Sequence, residues 1–106
     1  MSTEYQLRMY EFSSGRMEEF LEIFPEVLRA RRAVGFNVVG AWTVPEENRF
    51  VWIISTDAPG GIEEVSKVYY ASAQRRAIEP EPAKLIDKIE TKIMKPVRMG
   101  EVRRKW

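Results

Sequence analysis

The sequence predicts an α+β fold: a four-stranded antiparallel sheet in the order strand, helix, strand, strand, helix, strand, with both helices on one face. Three observations predict it. Residues 4–10, EYQLRMY, alternate between apolar and polar positions. Residues 37–55, NVVGAWTVPEENRFVWIIS, hold two short apolar runs around a polar turn, the pattern of a β-hairpin. Two further stretches, 16–35 and 62–76, repeat their apolar residues every three or four positions, as amphipathic helices do.

In the first strand Tyr5, Leu7 and Met9 share one face, while Glu4, Gln6, Arg8 and Tyr10 share the other. The segment SSG at 13–15 is a turn and cap that opens the first helix, whose stripe is Met17, Phe20, Leu21, Phe24 and Val27 or Leu28. Glu18, Glu19 and Glu22 near its start and Arg29, Arg31 and Arg32 near its end suit the helix dipole, and Gly35 is a natural stop. Pro25 removes one backbone hydrogen bond, so a bend is expected around residues 21–24. After the hairpin, DAPGG at 57–61 opens the second helix, with Ile62, Val65, Tyr69 and Ser72 on its stripe, and EPEP at 79–82 breaks it. A short helical turn over 83–86 precedes the last strand at 88–95, where Ile89 and Ile93 oppose Glu90, Lys92 and Met94. This order is the ferredoxin-like split βαβ arrangement. Residues 1–97 form one domain, and 98–106 form a basic tail.

Two helices cover only one face of such a sheet. The hairpin is apolar on both parities, with Phe36, Val38, Trp42 and Val44 on one and Val39 and Ala41 on the other, so the remaining face calls for a partner. A second copy of the chain is the economical one, giving a homodimer through the open sheet face. Burying four large apolar side chains would supply about 5 to 10 kcal/mol per protomer before entropy losses. Gln6, Arg8, Tyr10, Glu90, Lys92 and Met94 are expected to project into the same space and give it polar groups.

Composition removes many functions. The chain has no cysteine and no histidine, so it lacks a thiolate nucleophile and the commonest general base and metal ligand. Accordingly no metal and no cofactor are expected. A net charge of +1, from 17 basic and 16 acidic residues, does not describe a surface built for nucleic acid or anionic membrane. The N-terminal residues show no basic stretch leading into an apolar run, and no apolar run reaches the roughly 18 residues of a membrane span. A cytoplasmic location is expected.

Several segments resemble the NIPSNAP-type family of dimeric α/β barrels, which is related in fold to antibiotic-biosynthesis monooxygenases. The resemblance lies in YQLRMYEFSSGRMEEFLEIF at 5–24, GFNVVGAWTV at 35–44, FVWIIS at 50–55 and YYASAQRR at 69–76, and spans roughly residues 4–97. EPEP at 79–82 departs from it, where many members continue the helix. The resemblance implies a homodimeric barrel with one cavity per protomer. It implies no particular reaction, because fold alone does not carry chemistry.

Candidate site residues follow from position and chemistry. Arg8 and Tyr10 match the family's strand pattern and could orient a carboxylate or carbonyl, or else form a buried pair with Glu90 that fixes the sheet. Trp42 and Trp52 could stack on a flat ligand or simply pack, and hairpin register decides whether they share a face. Tyr69, with Tyr70, Ser72, Arg75 and Arg76, lies near the end of the second helix at the expected cavity mouth. Gly60 and Gly61 resemble an anion cradle but read more simply as a turn, and Glu18, Glu19 and Glu22 read as a solvated face.

The sequence therefore supports a dimeric barrel that binds a small, partly aromatic molecule. It could act as a cofactor-free monooxygenase, cyclase or isomerase, with Arg8, Tyr10 and Glu90 as the catalytic candidates. The alternative is a non-catalytic interaction protein with a packed interior. A cavity of a few hundred Å³ lined by Arg8, Tyr10 and Trp42 would favour the first.

Overall fold

Alternation in the strands and helical spacing between them produce eight regular elements in a computed structural model that describes residues 3–97. These are β1 (Glu4–Glu11), α1 (Arg16–Ala33), β2 (Asn37–Val44), β3 (Arg49–Thr56), α2 (Gly61–Ala71), α3 (Ala73–Arg76), α4 (Pro82–Leu85) and β4 (Lys88–Met94). The strands lie in the order β2-β3-β1-β4, every neighbouring pair antiparallel, with the helices on one face. This is the ferredoxin-like α+β fold the sequence predicts. The basic tail, 98–106, lies outside the described residues.

Local chemistry explains where the elements begin and end. A 3-10 turn over Pro45–Glu47 links β2 to β3, and Asn48 closes it in the left-handed region at φ 53°. The second helix is shorter than expected, because Ser72 both ends it and starts α3. Its hydroxyl donates to the Tyr69 carbonyl at 2.7 Å and accepts the Arg75 amide at 3.2 Å. Pro25, by contrast, does not split α1, which runs through it as one helix. Both Pro25 and Leu21, whose carbonyl loses its partner, lie on the solvent side, with Leu21 38% exposed. Water can take the freed carbonyl there.

The faces of the sheet differ from expectation. In β1 it is the polar parity, Gln6, Arg8 and Tyr10, that turns toward the helices and is buried, while Tyr5, Leu7 and Met9 line the open face. Pairing carries this across the sheet: Arg8 opposes Trp52 and Tyr10 opposes Phe50 on the helix side. On the open side Met9 opposes Glu90 and Val51, and Tyr5 opposes Met94. A bulge between Val38 and Gly40 reverses the parity of β2. Phe36 and Val38 therefore join the core rather than the open face, while Gly40, Trp42 and Val44 keep the open face.

The core under the helices is largely aromatic. Phe20 of α1 meets Tyr10 edge-on at 5.5 Å and Phe50 at 5.2 Å, and Phe24 meets Phe50 at 4.9 Å and Trp52 at 5.0 Å. Such edge-to-face pairs add to the area each ring buries. The open face carries Leu7, Met9, Val51, Ile53 and Trp42, and is closed at one end by an Arg49–Glu11 ion pair at 2.9 Å. An alanine methyl at Gly40 would come within 2.7 Å of the Trp42 ring, so the glycine gives the indole room to lie along the sheet.

Candidate functional site

Strand β1 delivers Arg8 to the middle of the sheet, under α1 and α2, where only 6% of it is exposed. Its guanidinium donates to Tyr10 Oη from Nε at 2.8 Å, to Gln6 Oε1 from Nη1 at 2.9 Å and to Tyr70 Oη from Nη2 at 3.5 Å. Trp52 Nε1 donates to the same Tyr10 hydroxyl at 3.1 Å. Arg31 enters from the last turn of α1 and is 2% exposed. Its Nη2 donates to Tyr70 Oη at 3.3 Å, while Nε and Nη1 are buried with no hydrogen-bond partner among the described residues. The Arg31 guanidinium lies 4.0 Å over the Tyr69 ring and between 5.1 and 5.6 Å from Phe36, Trp52 and Tyr70. A third cation, Arg75, is held by two short bonds to Glu81, at 2.6 and 3.0 Å.

These groups surround a cavity of about 50 Å³ between the helices and the β1–β4 side of the sheet. Among the described residues three arginines line it and no Asp or Glu does. Among the described residues only Arg75 of these three has a carboxylate partner, which leaves Arg8 and Arg31 as buried cations facing each other across the Tyr70 phenol. Withdrawing a guanidinium from water costs several kcal/mol even after relaxation. Each aromatic face returns about 0.5 to 2 kcal/mol through cation–π attraction. The Tyr69 face is close enough to contribute fully and the others are more distant, so the cage offsets the cost only in part.

The charges shape the titration of the groups they touch. Burial pulls the Arg8 pKa down, but the Tyr10 and Tyr70 phenols outweigh it and leave it above the ordinary value. For Arg31, burial and then the like charge of Arg8 hold the pKa below the ordinary value, although a guanidinium stays protonated at neutral pH. Burial pushes the Tyr70 phenol up, yet Arg31 and Arg8 together outweigh it and leave Tyr70 below the usual tyrosine value. Its neighbour Tyr69, with no such bonds, is raised by burial.

The structure thus gathers Arg8, Tyr10, Trp52 and Tyr69 of the sequence-derived candidates into one neighbourhood. It separates two others. Trp42 stands on the opposite face, because Ala41 rather than Trp42 pairs with Trp52. Glu90 opposes Met9 on the open side, so it neither joins nor neutralises Arg8. The neighbourhood lies under the helices, not on the open face, and is smaller than the few hundred Å³ expected. Gly60 and Gly61 form a turn filled by the chain itself: Glu4 Oε1 accepts the Ile62 amide at 2.8 Å. Among the described residues no group of three His, Cys, Asp or Glu is placed to hold a metal, and no helix is long and apolar enough to cross a membrane.

Arg31 escaped the sequence reading, which gave it to the helix dipole with Arg29 and Arg32. The signal was present, since 20, 23, 27, 30 and 31 form the buried stripe of α1. An arginine on an apolar stripe is a buried charge that needs a reason.

The comparisons with known proteins agree with this architecture. A family model described as NIPSNAP matches residues 5–100. The chain belongs to the NIPSNAP family. Among solved structures, a NIPSNAP family protein of unknown function from Agrobacterium tumefaciens superposes with a TM-score of 0.80 at 22% identity, covering 93% of this chain and 92% of that one. An uncharacterized NIPSNAP domain protein from Burkholderia xenovorans gives 0.76 at 22% identity, covering 89% and 94%. An antibiotic biosynthesis monooxygenase shares the fold at a TM-score of 0.66 and 11% identity, covering 90% and 99%. At such identities the likeness is one of fold. No curated protein matches the chain. The NIPSNAP assignment and the strand order are therefore established, and neither names a reaction.

Proposed function

We propose that this NIPSNAP protein is a homodimer that binds a small, partly aromatic molecule in the cavity between its helices and its sheet. The observation that carries the reading is the convergence of Arg8, Arg31, Tyr10, Tyr69 and Tyr70 on one cavity with polar donors left unpaired. The cavity, about 50 Å³ and partly open to solvent, suits one end of a ligand. The rest would leave past Tyr70, which is 48% exposed, and the equally accessible Ile89. Dimerisation would use the other side of the sheet, where Leu7, Met9, Trp42, Val51 and Ile53 make an apolar surface that no helix covers.

The same groups support cofactor-free proton transfer. Tyr70, with its pKa lowered beside two guanidiniums, is the group best placed to accept a proton, and Arg8 would stabilise an oxyanion developing on the substrate. A library of small aromatic compounds, neutral and charged, screened by thermal shift and native mass spectrometry, tests the binding. At least one compound should raise the melting temperature of the wild type and lose that effect in Arg8→Ala. A stabilising compound that binds a folded Arg8→Ala equally well would place its site elsewhere.

One observation favours a second reading. The cavity is small and sits beside a largely aromatic core, as in an interaction protein whose interior is solid and whose arginines are structural. On that reading the dimer forms but no compound in the library binds.

A further inference from the structure

We infer that Arg8 and Arg31 form a carboxylate-binding site, so that the molecule taken up by the cavity is an aromatic or unsaturated organic acid that enters carboxylate first. The inference rests on the cavity being a ligand site, as proposed above, and adds the charge and orientation of the ligand. Arg31 is 2% exposed, lines the cavity, and carries two buried donors, Nε and Nη1, that have no hydrogen-bond partner among the described residues. Its third nitrogen shares the Tyr70 hydroxyl with Arg8. Among the described residues two guanidiniums and no carboxylate line this part of the wall, since Glu81 is committed to Arg75 from outside the lining. Water could fill the donors but would leave both charges unbalanced; an anion does both.

The shape selects among anions. The cavity is small, about 50 Å³, and opens toward solvent on one side, so a planar carboxylate fits against the guanidiniums with the rest of the molecule toward the opening. Guanidinium forks match planar, two-oxygen acceptors. Beyond the cations the walls turn apolar, through Val27, Ile86 and Ile89, with the Tyr69 and Tyr70 rings at hand for an unsaturated system.

The test is calorimetric titration of the full-length protein with benzoate, benzamide and inorganic phosphate at low ionic strength. Benzoate should bind at least roughly tenfold more tightly than benzamide, which has the same shape without the charge. The difference should vanish in Arg31→Met and survive in Arg32→Met, one residue along and exposed. Should Arg31→Met fail to fold, Arg31→Lys keeps a charge without the fork and is expected to bind benzoate more weakly than the wild type by a similar factor. Equal binding of benzoate and benzamide would overturn the anion site while leaving a small-molecule cavity intact. Phosphate binding as tightly as benzoate would overturn the carboxylate assignment. If neither these probes nor any compound of the wider library binds, both the inference and the ligand-binding function fall.

Discussion

Tyr70 is the hinge of the residue-scale chemistry, because one phenol oxygen accepts from both buried cations. Tyr70→Phe should cost about 1 kcal/mol at neutral pH, measured by urea denaturation, the worth of a partly solvated hydrogen bond to a charged donor. The sign of its pH dependence follows from the lowered pKa. Between the folded value and the ordinary value of 10.0 the unfolded chain binds the extra proton, so the Tyr70 contribution grows as pH rises through that window and falls as pH drops below it. The stability difference between wild type and Tyr70→Phe should therefore widen on the alkaline side; a difference that narrows instead would mean the guanidiniums do not stabilise the phenolate. Tyr69 titrates the other way, raised by burial. At this scale the sequence showed which side chains carry chemistry but not which of them meet. Arg8, Tyr10 and Tyr69 are legible as candidates because few other groups remain without Cys or His. The separation of Trp42 from Trp52 and of Glu90 from Arg8 depends on register, which residue identity does not encode.

Elements were legible where periodicity is strong. The hairpin, both long helices and the strand order follow from spacing alone, and the short helix at the 79–82 break falls within one residue of its expected start. Two features resisted. The bulge at Val38–Gly40 is one irregular step, invisible to alternation, and it reverses every side chain beyond it in β2. The inward parity of β1 was hidden because its buried residues are polar: the usual rule sends Gln6 and Arg8 outward, and the hydrogen bonds of Arg8 to Gln6, Tyr10 and Tyr70 are what let them turn in. Helix α1 offers a direct check on its proline. Pro25→Ala restores the amide donor at a solvent-facing site, and should raise stability by about 1 to 2 kcal/mol after allowing for the looser unfolded chain. Denaturation of the variant measures it, and a loss of stability would show that the proline sets a helix path the core depends on. On the same helix, Phe20→Ala removes the ring that joins Tyr10 to Phe50 and should cost about 3 to 5 kcal/mol by the same measurement.

For the whole molecule, the sheet is a single wall with different tenants on each side. Light scattering should report about twice the 12.4 kDa of one chain, in keeping with the proposed dimer. Trp42→Glu, placing a charge amid the open face, should yield a folded monomer; an unchanged mass would show that the apolar face is not where copies meet. Of the four residues on which the sequence argument for a partner rested, two, Phe36 and Val38, belong to the core. Tyr5, Leu7 and Met9 take their place. The placement of the two hairpin tryptophans has a practical consequence. Trp52 is fully buried beside Tyr10 and Arg31, whereas Trp42 is 51% exposed on the far side. With Trp106 replaced, each single-tryptophan variant gives an optical channel for one equilibrium, cavity occupancy through Trp52 and self-association through Trp42. Because neighbouring residues of β1 alternate between the two environments, a ligand that shifts the strand by a fraction of an ångström would reach both, and any such coupling must be reciprocal. Emission from Trp42 recorded while ligand is added would read that cross-talk without labels.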